Sequence, residues 1–259
     1  MYRITSPIVL RMHTAEINKV RKEFGVPLLP NDLRAMYTDG DYVLYPDIPE
    51  FVPTTNLPPN HYYVGICPWA PPVEKPEWWE RMRADGRRKM FVSLGSSGPV
   101  QVMPSLLSAL ARLGVAAVIS TSGRSVVGDQ PYTADLLPFT ETAALANVVV
   151  SHGGSGGLYP AMAAGTPVLG IPSNADMHMS TAVLEDNGAG LGIRVEDANE
   201  KRIYAALEKL LNVPQYSRRA KEWAAIYARY DSGAMFRKFL SEALATPPTA
   251  PPSSQSPKP

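Results

Sequence analysis

The sequence predicts an α/β fold in which a parallel sheet is covered by helices on both faces. Three observations lead there. From Lys89 onward, short apolar runs alternate with stretches of helical spacing, as strand–helix units do. These runs lack polar alternation, as expected of strands buried on both sides. The 26 prolines also avoid this region: residues 1–76 hold twelve, residues 246–259 hold six, and the 169 residues between hold eight. Proline removes a backbone donor, so the regular core belongs where proline is sparse.

Taken in order, Ile17, Val20 and Phe24 recur at helical spacing, and Gly25 follows as a C-cap. A short helix is expected near Asp32–Tyr37, with short strands at Tyr42–Tyr45 and Tyr62–Gly65 on either side of a Pro-rich loop. Met90–Leu94 reads as a strand, 100–113 as a helix and Val115–Ser120 as a strand. After a loop come a helix at 140–145, a strand at Val148–Ser151, a helix at 157–164 and a strand at Pro167–Ile171. A helix at 175–187 precedes a short strand at Leu191–Arg194. Asp197 and Glu200 resemble a capping box. The stripes Ile203, Leu207, Leu210, Leu211 and Trp223, Ile226, Tyr227, Tyr230 give two amphipathic helices. A last helix near 235–244 precedes TPPTAPPSSQSPKP, a Pro-rich tail expected to be disordered.

Composition excludes several classes. Apolar residues make up 45% and charged residues 19%, a globular balance. Lys+Arg 25 against Asp+Glu 24 leaves no basic excess for nucleic acid. A single cysteine, Cys67, allows neither an internal disulfide nor a multi-Cys metal site. Four histidines (His13, His61, His152, His178) make a His-rich metal site implausible. No apolar run approaches the roughly 20 residues that span a bilayer, and the start is too short in apolar residues for a secretory leader. The expected compartment is the cytoplasm.

In an open parallel sheet, ligands bind beyond the carboxyl ends of the strands. Three predicted strand ends carry unusual residues: Ser93-Leu94-Gly95-Ser96-Ser97-Gly98, Ser151-His152-Gly153-Gly154-Ser155-Gly156-Gly157, and Pro172-Ser173-Asn174-Ala175-Asp176. The second is the most informative. Its glycines let a ligand approach the backbone, and the following helix offers free N–H groups and a positive dipole end. That combination suits a diphosphate; the plainer reading is a tight turn with a helix cap. The spacing for a nicotinamide loop is absent, and no G-K-[ST] exists for a P-loop. Gly153–Gly157 also fits the G-x-S-x-G nucleophile elbow around Ser155. Its only later histidine, His178, lies two residues from Asp176, too close for triad partners on separate strand ends.

The segment SHGGSGGLYPAMAAGTPVLGIPSNADMHMSTAVLEDNGAG resembles the donor-binding signature of GT-B glycosyltransferases, the UDP-glycosyltransferase and antibiotic-glycosyltransferase group. Their pattern, H-G-G-x-G-T-x-x-E-A-[LM]-x-x-G-x-P, then P-x-x-x-D-Q-x-x-N-A, then G-x-G, is met at His152, Gly153, Gly154, Gly156, Ala161, Met162, Gly165, Pro167, Pro172, Asp176, Gly188 and Gly190. Phe91–Ser96 is similar to the family's V-S-L-G-S, and Leu137-Pro138-Phe139 stands where it has a proline and a base-contacting residue. The resemblance covers about residues 90–212, and weakly Val20–Gly25, Asp41–Tyr45 and Tyr63–Gly65.

It implies a Rossmann-like GT-B C-terminal domain at 89–231, a remnant of the N-terminal acceptor-side domain at 1–65, a linker at 66–88, a crossover helix at 232–245 and the tail at 246–259. It implies transfer of a hexosyl group from a nucleotide-diphosphate sugar, UDP by inheritance, to an acceptor hydroxyl of a small molecule or lipid. No metal or other cofactor is expected. The donor-binding set is Ser93, Gly95, Ser96, Phe139, His152, Gly153, Gly154, Ser155, Gly156, Gly157 and Asp176. His152 would donate to a phosphate oxygen, or merely pack at the strand end. Asp176 would accept from sugar hydroxyls, cap the next helix, or both. The family's ribose-binding Glu falls at Pro160, its Gln at Met177, its Asn at Ser180 and its Thr at Gly157. Pro160 and Gly157 both lie early in the predicted helix, where proline is tolerated. The family's catalytic histidine lies in the missing half, and neither His13 nor His61 sits in a recognisable motif, so the base is unknown. A partner chain supplying that half is one expectation. A degenerate nucleotide-sugar binder without turnover, or a hydrolase using Ser155, are the alternatives.

Overall fold

The structure is a computed structural model describing residues 2–67, 72–125 and 130–245. The Pro-rich tail at 246–259 lies outside the described residues. The chain divides into two compact units. The smaller takes in the described residues of Met1–Pro46, Thr54–Val64 and Gly233–Pro259; the larger is Asp47–Pro53 with Gly65–Ser232.

In the smaller unit, helix α1 spans Tyr2–Glu23. It ends in a Schellman motif: Gly25 takes φ +66°, its N–H donates to Lys22 O, and Val26 N–H donates to Arg21 O. A 3-10 helix, Leu33–Thr38, is capped by Asp32, which accepts from Arg34 N. Strands β1 (Val43–Tyr45) and β2 (His61–Tyr63) pair in parallel. Phe239 of the last helix packs its ring 5.3 Å from Tyr42 and 5.1 Å from Tyr62.

The larger unit begins, in the stretch expected to be linker, with helix α2 (Trp79–Ala84), whose Trp79 and Met82 are buried. There follow β3 (Lys89–Ser93), α3 (Met103–Leu113), β4 (Ala116–Ser120), β5 (Tyr132–Ala134), α4 (Phe139–Leu145) and β6 (Val148–Ser151). Then come α5 (Ser155–Ala163), β7 (Val168–Gly170), α6 (Ala175–Asp186), β8 (Gly190–Gly192), α7 (Glu200–Asn212) and α8 (Pro214–Tyr227); α9 is Ser232–Ala245. The six strands of this unit form one parallel sheet in the order β5-β4-β3-β6-β7-β8. Alternate residues of each strand enter separate cores. Phe91, Val118, Val149 and Val168 meet Leu158, Ala161 and Trp223 on one face. Met90, Val92, Val150 and Leu169 meet Leu106, Leu110, Ile203 and Leu207 on the other. Burial on both faces explains why the runs do not alternate.

The capping box at Asp197 and Glu200 is not formed. A 3-10 turn occupies Val195–Asp197, and Asn199 caps α7 by accepting from Arg202 N at 3.1 Å. Asp197 pairs with Arg202 instead, and Glu200 reaches back to Ser108 and Arg112 on α3.

Asp47–Pro53 is a strap bound to the larger unit. Phe51 packs 5.0 Å from the Trp223 ring, and Asn187 donates to its carbonyl. The buried Asp47 carboxylate accepts from Tyr159 OH and Ile48 N, and burial raises its pKa above the ordinary 3.8. A raised folded pKa means that ionising Asp47 subtracts from stability as pH rises through that pKa. Tyr159→Phe is therefore expected to cost about 1–3 kcal/mol at pH 7 by stripping a donor from a buried carboxylate. Asp47→Asn removes the charge, keeps one oxygen to accept from Ile48 N and turns an amide N–H towards the Tyr159 oxygen, which can accept it, so it should be at least as stable as the parent. Urea denaturation of the two variants checks this; an equal loss in both would contradict it.

Candidate functional site

From β3 the chain steps outward through β4 to β5; from β6 it steps the opposite way through β7 to β8. The loops leaving β3 and β6 therefore diverge, and a crevice opens between them at the carboxyl edge. The last residues of the strands stand side by side in register: Ala134, Ser120, Ser93, Ser151, Gly170 and Gly192. All are small, so the loops above can sit close to the sheet. Ser93 is buried in this row. Ser151 Oγ accepts from Gly153 N at 3.1 Å and so turns the chain out of β6.

Gly153 takes φ +84°, in the left-handed region that favours glycine. Gly154 is the N-cap of α5, which starts two residues earlier than expected. Gly157 N and Leu158 N both donate to Gly154 O at 3.0 Å. The N–H groups of Ser155 and Gly156 precede these bonds, and both residues are exposed. No atom comes within 4 Å of a Cβ built on Gly156. The positive end of the helix is thus open to an anion. The earlier start corrects the place of Pro160: it is the sixth residue of α5, in the second turn, where it withholds a donor from Gly156 O.

His152 lies between two glycines. A Cβ on Gly95 would come 3.1 Å from its Cε1, and one on Gly154 would come 2.7 Å from its Nε2. Its Nδ1 is buried without a hydrogen-bond partner among the described residues. Burial, and then the charge of Arg124, hold its pKa below the ordinary 6.5, against an opposing pull from Asp176. At neutral pH it is therefore a neutral imidazole with one N–H to donate.

Asp176 is not the cap of α6. Asn174 is, its side chain accepting from Met177 N at 3.0 Å, because the helix starts at Ala175 and the capping position precedes it. Asp176 is left exposed, close enough for its charge to act on His152 and Tyr159. Phe139, the first residue of α4, packs edge-on against Phe91 at 4.8 Å and reaches towards Gly157. Ser96 is exposed on the β3 loop. Ser155 begins a regular helix. The residues other than glycine with positive φ among those described are Asn56 and Ser122, so Ser155 lacks the strained turn of a nucleophile elbow. In the smaller unit, His61 Nδ1 is bonded to Tyr45 OH at 2.7 Å and His13 is exposed.

One residue escaped the sequence reading. Arg124, in the loop after β4, donates to Gly98 O at 2.6 Å and to Gly95 O. It directly follows the Thr-Ser-Gly turn after β4, but no local spacing marks it, since its role lies in the carbonyls it reaches. Among the described residues no group of three or more His, Cys, Asp or Glu could hold a metal ion, and no helix is long and apolar enough to cross a membrane.

Residues 105–229 match the family model of the erythromycin biosynthesis protein CIII-like C-terminal domain. That segment is just under half of the chain. The chain is 38% identical over 247 residues to a PGL/p-HBAD biosynthesis glycosyltransferase of Mycobacterium tuberculosis, covering 94% of this chain and 57% of that protein. It thus spans little more than half the length of the curated relatives it matches. A spinosyn forosaminyltransferase superposes with TM-score 0.70 at 18% identity, over 90% of this chain and 61% of its own. A spinosyn rhamnosyltransferase complexed with thymidine diphosphate gives 0.67 at 20% identity, over 86% and 60%. The fold is that of the C-terminal domain of GT-B glycosyltransferases.

Proposed function

We propose that this chain is the donor-binding half of a glycosyltransferase that moves a hexosyl group from a nucleotide-diphosphate sugar to an acceptor hydroxyl. The carrying observation is the open N-terminus of α5 at the point where the sheet order reverses, with His152 set between Gly95 and Gly154. Breaking the anomeric bond puts charge on the departing diphosphate. Fixed N–H donors and a neutral histidine stabilise that charge without a metal. The exposed Asp176 carboxylate accepts from sugar hydroxyls. The acceptor and the base that deprotonates it belong to the half that the curated relatives have beyond this alignment.

UDP is the nucleotide the sequence resemblance suggests, whereas the solved rhamnosyltransferase holds thymidine diphosphate. Calorimetric titration with UDP, dTDP, GDP and NADH separates them. Binding confined to UDP or dTDP, and insensitive to EDTA, is expected; binding of none would sink the donor-site reading. A second reading, a nucleotide-sugar binder without turnover, draws on Pro160 and Met177, which replace the ribose-binding Glu and the Gln after the Asp of the family pattern. Diphosphate binding with no sugar transfer, even when the missing half is supplied, would favour it.

A further inference from the structure

The loops after β4, β3 and β6 are neighbours in the sheet, and Arg124 links the first two. Its guanidinium donates to two carbonyl oxygens of the β3 loop, Gly95 O and Gly98 O. This loop is tightly wound: a Cβ on Gly98 would fall 1.9 Å from Leu94 O. Gly95 itself takes φ +61° and faces the His152 ring. The carbonyl of Gly95 belongs to the peptide that carries the Ser96 N–H. In a trans peptide these two groups point in opposite directions. Holding Gly95 O on the arginine therefore turns the Ser96 N–H away from it, on the exposed part of the loop. No carboxylate among the described residues forms an ion pair with Arg124. Its charge is instead felt at His152.

We propose that Arg124 is a positioning residue for the donor's diphosphate: by clamping Gly95 O and Gly98 O it fixes the β3 loop against His152 and presents the Ser96 N–H as a phosphate donor. This rests on the donor-site reading above. The clamp needs a planar fork with several donors, which arginine has and lysine lacks. A phosphate-specific role also differs from general loop support. Losing it weakens ligands that carry the diphosphate and spares those that carry only the base and sugar.

The test is calorimetric titration of the full chain with UDP and dTDP, alongside saturation-transfer NMR with uridine and thymidine. Arg124→Gln is expected to weaken the diphosphates about tenfold and to leave the nucleosides within about twofold. Arg124→Lys should stay within about threefold of Arg124→Gln, since charge alone does not hold the peptide. Arg124→Gln binding diphosphates like the parent, equal losses for nucleoside and diphosphate, or full rescue by lysine would each overturn the clamp. His152→Ala, measured in parallel, separates the two ideas. Weakening there with none in Arg124→Gln removes only the arginine's role; no diphosphate binding by the parent chain removes both.

Discussion

Gly153→Ala is expected to lower the unfolding free energy of this chain by about 3 kcal/mol, from two separable sources. The first is backbone: φ +84° puts an alanine in the left-handed region, at about 1–2 kcal/mol. The second is overlap: the new Cβ would lie 2.4 Å from Thr181 Oγ1. Thr181, on α6, is inserted among three glycines at the strand ends. A Cβ on Gly170 would come 2.8 Å from its Oγ1, and one on Gly192 would come 2.6 Å from its Cγ2. These contacts bring α6 close to the sheet, which sets where Asp176 stands at the helix's first turn. Thr181 Oγ1 is also buried without a partner among the described residues, so Thr181→Ala alone removes an unsatisfied hydroxyl and should change little. In that background Gly170→Ala should become nearly neutral, because the three nearest atoms within 4 Å all belong to Thr181. Gly153→Ala should lose most of its overlap part and keep its backbone part, with a residual 3.3 Å approach to Met177 O. A double-mutant cycle by urea denaturation reads both couplings. Equal losses with and without Thr181 would show that the threonine is not the obstacle.

The same residues show what was legible in the sequence. Val148–Ser151 was found to the residue because a run of three valines has glycines and a polar residue on its flank, and burial on both faces leaves it nowhere else to go. The Gly-rich turn and His152 were legible because a concentration of glycine at a strand end has few structural uses. Strand β5 was missed: Tyr132-Thr133-Ala134 is three residues long at the sheet's edge, with one buried residue and no run to detect. Helix α2 was hidden by the prolines before it, since Trp79 and Met82 give a single i, i+3 contact too brief to count as a period. Thr181 and Arg124 were invisible for another reason. Each matters through what it touches across the sheet, and neither touch is written in local spacing. The family pattern even has Ala at Thr181, so only the three glycines opposite it explain how a larger side chain is held.

His152→Ala is expected to weaken nucleoside diphosphate binding by about 10- to 100-fold, the worth of a hydrogen bond to a charged group. The pH dependence distinguishes a phosphate contact from mere packing. Burial and Arg124 hold the His152 pKa below 6.5 in the folded chain. As pH falls through 6.5 the unfolded chain takes up the proton first, so the stability linked to His152 is complete above that value and is lost below it. A diphosphate beside the ring has the opposite effect, because its negative charge favours the imidazolium and raises the pKa. Binding then draws a proton in, and affinity through His152 must increase as pH falls from about 7.5 to about 6. The diphosphate's own ionisation acts on parent and variant alike, so the difference between them isolates the histidine. Acidification should widen the affinity gap between the parent chain and His152→Ala, and calorimetry in buffers of different ionisation enthalpy should register more proton uptake in the parent than in the variant. A gap that stays constant with pH would mean that His152 shapes the pocket by its volume, wedged between Gly95 and Gly154, without meeting the phosphate.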